Sequence, residues 1–250
     1  LVEEPADPVG RPRNEVEESS MGIVVGLYRI AVAVFALIGT QEIWRDGDPS
    51  GLVYFTNQSN LLLAVVFVWA GFASFARQPQ PPAWLKGAVT LFILITGLVA
   101  YFILPPDAPG EPTVVLGLTD GQIVHQLTPA LALLDFLLFD PHRRLRVKNA
   151  ALWLLYPVAY CAFTTIRGVV LPDTDYPYGF VDVAEIGYLG LAQNVVLYGV
   201  GFFVLGLVIV GIDRVLPRNP VVGPKVPAGS RSGGRSGPAR GRGSRSRSEG

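Results

Sequence analysis

The chain has 250 residues, of which 50% are hydrophobic and only 16% charged, and its mean hydropathy is +0.40. That balance excludes an ordinary soluble domain and points to an integral membrane protein. Lys plus Arg and Asp plus Glu number 20 each, for a formal net charge of zero, so no basic excess or folded motif points to a specific nucleic-acid partner.

Residues 1–20 are acidic and rich in Pro and Glu without an apolar period, and are expected to be disordered. The chain begins with Leu, and its only methionine is Met21, at the threshold of the first apolar run. Translation is therefore expected to start at Met21, and N-terminal sequencing of the mature protein tests this. About 20 residues cross a hydrocarbon core of roughly 30 Å. Six apolar runs of about this length, near 22–40, 53–76, 87–104, 122–140, 150–168 and 187–212, predict an all-α, polytopic six-helix transmembrane bundle over 21–214.

Basic residues concentrate at Arg77 and Lys86 between runs two and three, at Arg143, Arg144, Arg146 and Lys148 between runs four and five, and after Arg214. The positive-inside tendency then places both termini and these two loops in the cytoplasm, with the acid-bearing loops near 41–52, 105–121 and 169–186 outside.

The first run contains Arg29 about halfway along. A charge at that depth needs a partner, and Asp135 in the fourth run matches it in depth. The second run opens on Tyr54-Phe55-Thr56-Asn57-Gln58-Ser59-Asn60, five consecutive polar residues after two aromatics. Unpaired, such groups are costly in hydrocarbon, so they imply mutual hydrogen bonding or a wet cavity. At helical spacing Thr56, Ser59 and Asn60 share a face, with Asn57 beside them.

The third run is apolar scaffolding. The fourth brings in His125, Gln126 and Thr128, then Pro129, which loosens the helix, and then Asp135. In the fifth, Tyr156, Tyr160, Thr164 and Arg167 form one stripe, and Cys161 is expected to be a small buried hydrophobe. The loop Asp175-Tyr176-Pro177-Tyr178-Gly179-Phe180-Val181-Asp182 is aromatic and stiffened by proline, like a lid or rim. Gln193 and Asn194 follow in the sixth run. Residues 215–250 are a Gly, Ser, Pro and Arg tail, expected to be disordered and drawn to anionic inner-leaflet lipids.

One cysteine and two histidines exclude a disulfide framework, a thiolate centre or a histidine metal cluster built from this chain alone; no metal or cofactor is expected. No phosphate-binding loop, dinucleotide fingerprint, His-Glu-x-x-His or Gly-x-Ser-x-Gly pattern occurs. Thr56, Asn57, Asn60, His125, Thr128, Arg167, Asp182, Gln193 and Asn194 all fall in the outer half or the outer loops. A single outward polar pocket accounts for that grouping, with Asn57, Asn60, Thr128, Arg167, Asp182, Gln193 and Asn194 as substrate-binding candidates. The same pocket suits a lipid or small-molecule binder or transporter, and a non-catalytic scaffold explains the polar groups as a helix interface.

Four separated motifs carry a resemblance. The run Tyr54 to Leu62, the segment His125 to Pro129 followed by Leu134-Asp135, Tyr156-Pro157 with Arg167-Gly168, and Tyr176-Pro177-Tyr178 through Asp182 together resemble the bacterial "Pr-six-Pr" membrane proteins over about 21–212. That family has no defined activity. It is similar, more distantly, to the androgen-induced-gene family of membrane hydrolases, which cleave lipid esters with an intramembrane threonine and histidine. The resemblance implies Thr56 as nucleophile and His125 as its base, a lipid ester as substrate, membrane lipids as surroundings and a bacterial plasma membrane as location. A shift of one residue would put Asn57 at the nucleophile position, and a neutral amide forms no acyl intermediate.

Overall fold

Apolar runs of membrane length become helices because a helix satisfies its own backbone hydrogen bonds. The computed structural model describes residues 13–45, 47–105, 110–171 and 175–223. Among these, every regular element is helical apart from one isolated bridge between Val115 and Leu118.

Helix α1 (Arg13–Gly39) starts well before the first apolar run, so residues 13–20 are helical rather than disordered. Glutamates are good helix formers, and acids suit the positive end of the helix dipole, so an already nucleated apolar helix extends into them. The expectations for residues 1–12 and for the tail beyond 223 lie outside the described residues. A short α2 (Gln41–Arg45) and a 3₁₀ turn (Pro49–Val53) lead to α3 (Phe55–Phe75), and α4 (Ala83–Phe102) follows.

The fourth apolar run is not one helix. It consists of a three-residue α5 (Asp120–Gln122), a π-helical stretch (Ile123–Leu127) and α6 (Thr128–Leu138). Pro129 has no N–H for the fourth carbonyl before it, that of His125, and the backbone widens there. Then come α7 (Val147–Trp153), α8 (Leu155–Val170), a second 3₁₀ turn (Gly179–Val181) and α9 (Val183–Val215), which kinks at Gly187 where φ is 68°. Among the described residues, five helical stretches are long and apolar enough to cross a membrane: Ser19–Gly39, Phe55–Phe75, Ala83–Phe102, Val147–Val170 and Val183–Val215.

Helix α1 packs on α3, α3 on α4, and α4 on α6, while α7 and α8 lean on α9 along the side of α4. Val32, Leu63, Phe67 and Ile93 fill one buried cluster, and Leu91, Phe92, Phe136, Trp153 and Ile209 fill another. Outward-facing Val65, Phe72, Leu189 and Val196 stay more than half exposed; on a membrane helix that surface faces lipid.

At one end of the bundle four charges are buried together. Arg29 is 2% exposed, and its Nε lies 2.8 Å from Asp135 Oδ1, the pairing expected from depth. Its Nη2 is 2.9 Å from Asp140 Oδ1, and its Nη1 donates to Ser74 and Gln80. Lys86, expected as a loop cation, is 4% exposed on α4 and bridges Asp135 and Asp140. Nearby, Asp213 accepts hydrogen bonds from the backbone N–H groups of Arg144 and Leu145, which ties the basic loop to the end of α9.

Candidate functional site

The opposite end of the bundle carries the polar run of α3. Asp48 caps the 3₁₀ turn before it, accepting from Ser50 N at 2.8 Å and Ser50 Oγ at 2.7 Å. The Ser50 backbone bond, and then the hydroxyl, hold the Asp48 carboxyl below its ordinary value. The carbonyls of that turn then receive donors from the bundle. Asn57 Nδ2 donates to Gly51 O at 3.0 Å, Gln58 Nε2 to Leu52 O at 2.7 Å, and Tyr160 Oη to Val53 O at 2.8 Å. The two amides therefore fix the entry of α3 by satisfying backbone groups.

Asn60, fully buried, joins α3 to the π-helical stretch. Its Nδ2 donates to Thr56 O at 3.0 Å and Val124 O at 3.4 Å, and its Oδ1 accepts from Thr128 Oγ1 at 2.7 Å. On the far side α4 approaches closely at Gly97. A Cβ there would lie 3.0 Å from the His125 carbonyl oxygen and 3.2 Å from the Pro129 ring. The widened turn is thus gripped from two sides, and it presents His125 to α3.

Thr56 Oγ1 lies 3.3 Å from His125 Nε2. Tyr178 completes the group: its hydroxyl is 3.3 Å from Thr56 Oγ1 and accepts from Thr56 N at 3.3 Å. Burial pushes the Tyr178 phenol up, so it stays protonated as a hydrogen-bond donor. The loop bearing it is held from α8, where Arg167 Nη1 donates to Asp175 O at 2.8 Å. Gly168 leaves the space that the Tyr176 ring occupies, for a Cβ there would lie 2.1 Å from it.

Two cavities meet at this point. A vestibule of about 340 Å³ is lined by Glu42, Asn57, Asp120 and His125 among others, and an apolar chamber of about 100 Å³ lies between α4, α8 and α9. Thr56 and Tyr178 line both.

The substrate-binding candidates separate accordingly. Asn57 lines the vestibule, and Asn194 lines the chamber while donating to Phe180 O at 2.9 Å. Asn60 and Thr128 are buried behind Thr56 as supports. Arg167 is engaged with the loop backbone, and Asp182 caps α9 through the backbone N–H groups of Ala184 and Glu185. Gln193 is exposed on α9 and lines neither cavity.

The amides of Asn57 and Asn60 and the Arg167 guanidinium already donate elsewhere, so they are poorly placed to steady an oxyanion at Thr56. Tyr178 is the group that residue-by-residue reading missed. Its signal was the stiff aromatic loop, whose distance from α3 in sequence hid the contact. Among the described residues no group of three or more His, Cys, Asp or Glu side chains is arranged to hold a metal ion. Compared with family models, curated proteins and solved structures, the chain matches none.

Proposed function

We propose that this chain is a membrane-embedded ester hydrolase of the Pr-six-Pr type, with Thr56 as nucleophile and His125 as general base. The observation that supports this most is the 3.3 Å separation of Thr56 Oγ1 and His125 Nε2 at the floor of an open vestibule. A threonine hydroxyl is a weak nucleophile until a base at hydrogen-bond reach takes its proton.

In the proposed cycle His125 accepts that proton as Oγ1 bonds to the ester carbonyl carbon. The carbonyl oxygen takes the electron pair, and the Tyr178 hydroxyl donates to the resulting oxyanion. Collapse re-forms the carbonyl and expels the alcohol oxygen, which receives the proton from His125. Water then attacks the acyl-threonine with His125 again as base, releasing the carboxylic acid and restoring Oγ1–H.

The segment 120–138 is the sixth crossing in this reading. Its 19 residues span about 28 Å if helical throughout. The cluster of Arg143, Arg144 and Arg146 with Arg214 at the ion-paired end supports cytoplasmic termini in a plasma membrane. The basic tail then lies against anionic inner-leaflet lipid.

The test is labelling of the full-length protein by a fluorophosphonate probe. The wild type is expected to label, and Thr56→Ala and His125→Ala to lose labelling while keeping their helicity and melting temperature. Absence of wild-type labelling, or full labelling in both variants, excludes the dyad. The first outcome moves the site to lipid binding, which the apolar chamber favours as the second reading.

A further inference from the structure

The two cavities differ in chemistry and share Thr56 and Tyr178. The chamber is walled by Ile95, Val99, Leu191, Val195 and Phe202. Two further observations place its mouth on the lipid-facing side. Val158 of α8 and Val195 of α9 both line it, yet they are 54% and 41% exposed. A chain lying in lipid therefore has a lateral way in between α8 and α9.

The vestibule, in contrast, is lined by the carboxylates of Glu42 and Asp120, by Asn57 and by His125, with no Lys or Arg among the described residues that line it. The rings of Tyr54 and Tyr178 stand at its edge, edge to face with centroids 6.0 Å apart. Acidic groups and aromatic faces together favour a cation and disfavour an anion.

We propose that the chamber takes the single alkyl chain of a membrane amphiphile, that the chain meets its polar head at Thr56, and that the head in the vestibule is cationic or uncharged rather than anionic. This rests on the hydrolase reading for what happens at Thr56, and narrows its substrates to esters of linear aliphatic acids with a cationic or neutral alcohol. Affinity comes mainly from the head in the vestibule. A chain leaving lipid for an apolar chamber exchanges one hydrocarbon surrounding for another, so the chamber contributes selection by shape.

The test uses the full-length protein in phospholipid nanodiscs and dodecyltrimethylammonium bearing a terminal diazirine. After photolysis, saturable adducts are expected on the peptides containing Pro157–Cys161 and Leu191–Phe202. Unlabelled dodecyltrimethylammonium should compete, and dodecanoate should compete far less.

Gly199 lines the chamber, and a Cβ there meets nothing within 4 Å, so Gly199→Leu fills space without forcing backbone. It should lower saturable labelling about tenfold or more, the scale of overpacking an occupied apolar site. Gly211→Leu, also with open space at its Cβ but outside the chamber, should leave labelling unchanged. Thr56→Ala should keep saturable labelling while losing reaction with fluorophosphonate, so failure of the hydrolase chemistry and failure of the chamber give different patterns. Non-saturable labelling, or labelling indifferent to Gly199→Leu, overturns the chamber. Equal competition by dodecanoate overturns the head assignment.

Discussion

Removing the Asp135 carboxylate with Asp135→Ala should unbalance the ion-paired end of the bundle. Arg29 and Lys86 both bond Asp135, whose side chain is 1% exposed, and both also reach Asp140. Two cations then share one carboxylate, Asp140, in a site with little access to water. Breaking a buried pair in this way costs about 3–5 kcal/mol, because the remaining charge has no adequate counter-ion. The variant Lys86→Met leaves the opposite imbalance and should cost a similar amount.

The informative comparison is the double variant Asp135→Ala, Lys86→Met. It retains the Arg29–Asp140 pair at 2.9 Å with no net charge, so its loss should fall short of the sum of the two single losses by about 2–3 kcal/mol. The assay is equilibrium unfolding in mixed micelles, followed by helicity as the denaturing detergent fraction rises. A single-variant loss under about 1 kcal/mol, or additivity of the two losses within about 0.5 kcal/mol, would falsify the account of this cluster as a charge-balanced unit.

At the other end, Asn60→Leu removes one acceptor and two donors from a fully buried position. It should cost about 1–3 kcal/mol of stability and slow fluorophosphonate labelling through misplacement of His125; unchanged labelling with reduced stability would show that Asn60 does not position it. Ser50→Ala should move the Asp48 carboxyl only part of the way back up toward its ordinary value, since the larger contribution, the Ser50 backbone N–H, survives. A carboxyl held low stabilises the turn above its unfolded-state value and loses that contribution as pH falls through the folded-state value. Carbon-detected titration of labelled Asp48 between neutral and strongly acidic pH reads the change, and an unchanged midpoint would remove the Ser50 hydroxyl from the explanation.

What the sequence made legible follows from which forces act locally. The apolar runs were readable because hydropathy over 20 residues reports burial in lipid directly. The Arg29–Asp135 pair was readable because a charge deep in such a run has few partners. Lys86 and Asp140 were not, since both sit at the edges of apolar runs, where a charge belongs equally well to a loop. Pro129 announced a disturbance in the fourth run, but the π-helical form it takes depends also on Gly97 of another helix and on Asn60 of a third. Asp182, Arg167 and Gln193 have the residue types and depth of a binding site. The first two are committed to a helix cap and a loop carbonyl, and the third lies on the outer face of α9, which depth along the chain cannot reveal.

The two polar centres also differ in a way that bears on where function lies. In the ion-paired cluster each cation meets both carboxylates, and the remaining guanidinium donors are taken by Ser74, Gln80 and the Phe139 carbonyl. Such an arrangement closes on itself and serves the fold. At the other end Asn57, Gln58, Asn60 and Thr128 are likewise bonded to backbone or to one another. The Thr56 hydroxyl differs, because its contacts to His125 and Tyr178 are both 3.3 Å, at the long end for a hydrogen bond, and it lies where the apolar chamber meets the more polar vestibule. A bonded surround holding one loosely bonded hydroxyl near a histidine is the arrangement that the proposed reaction uses.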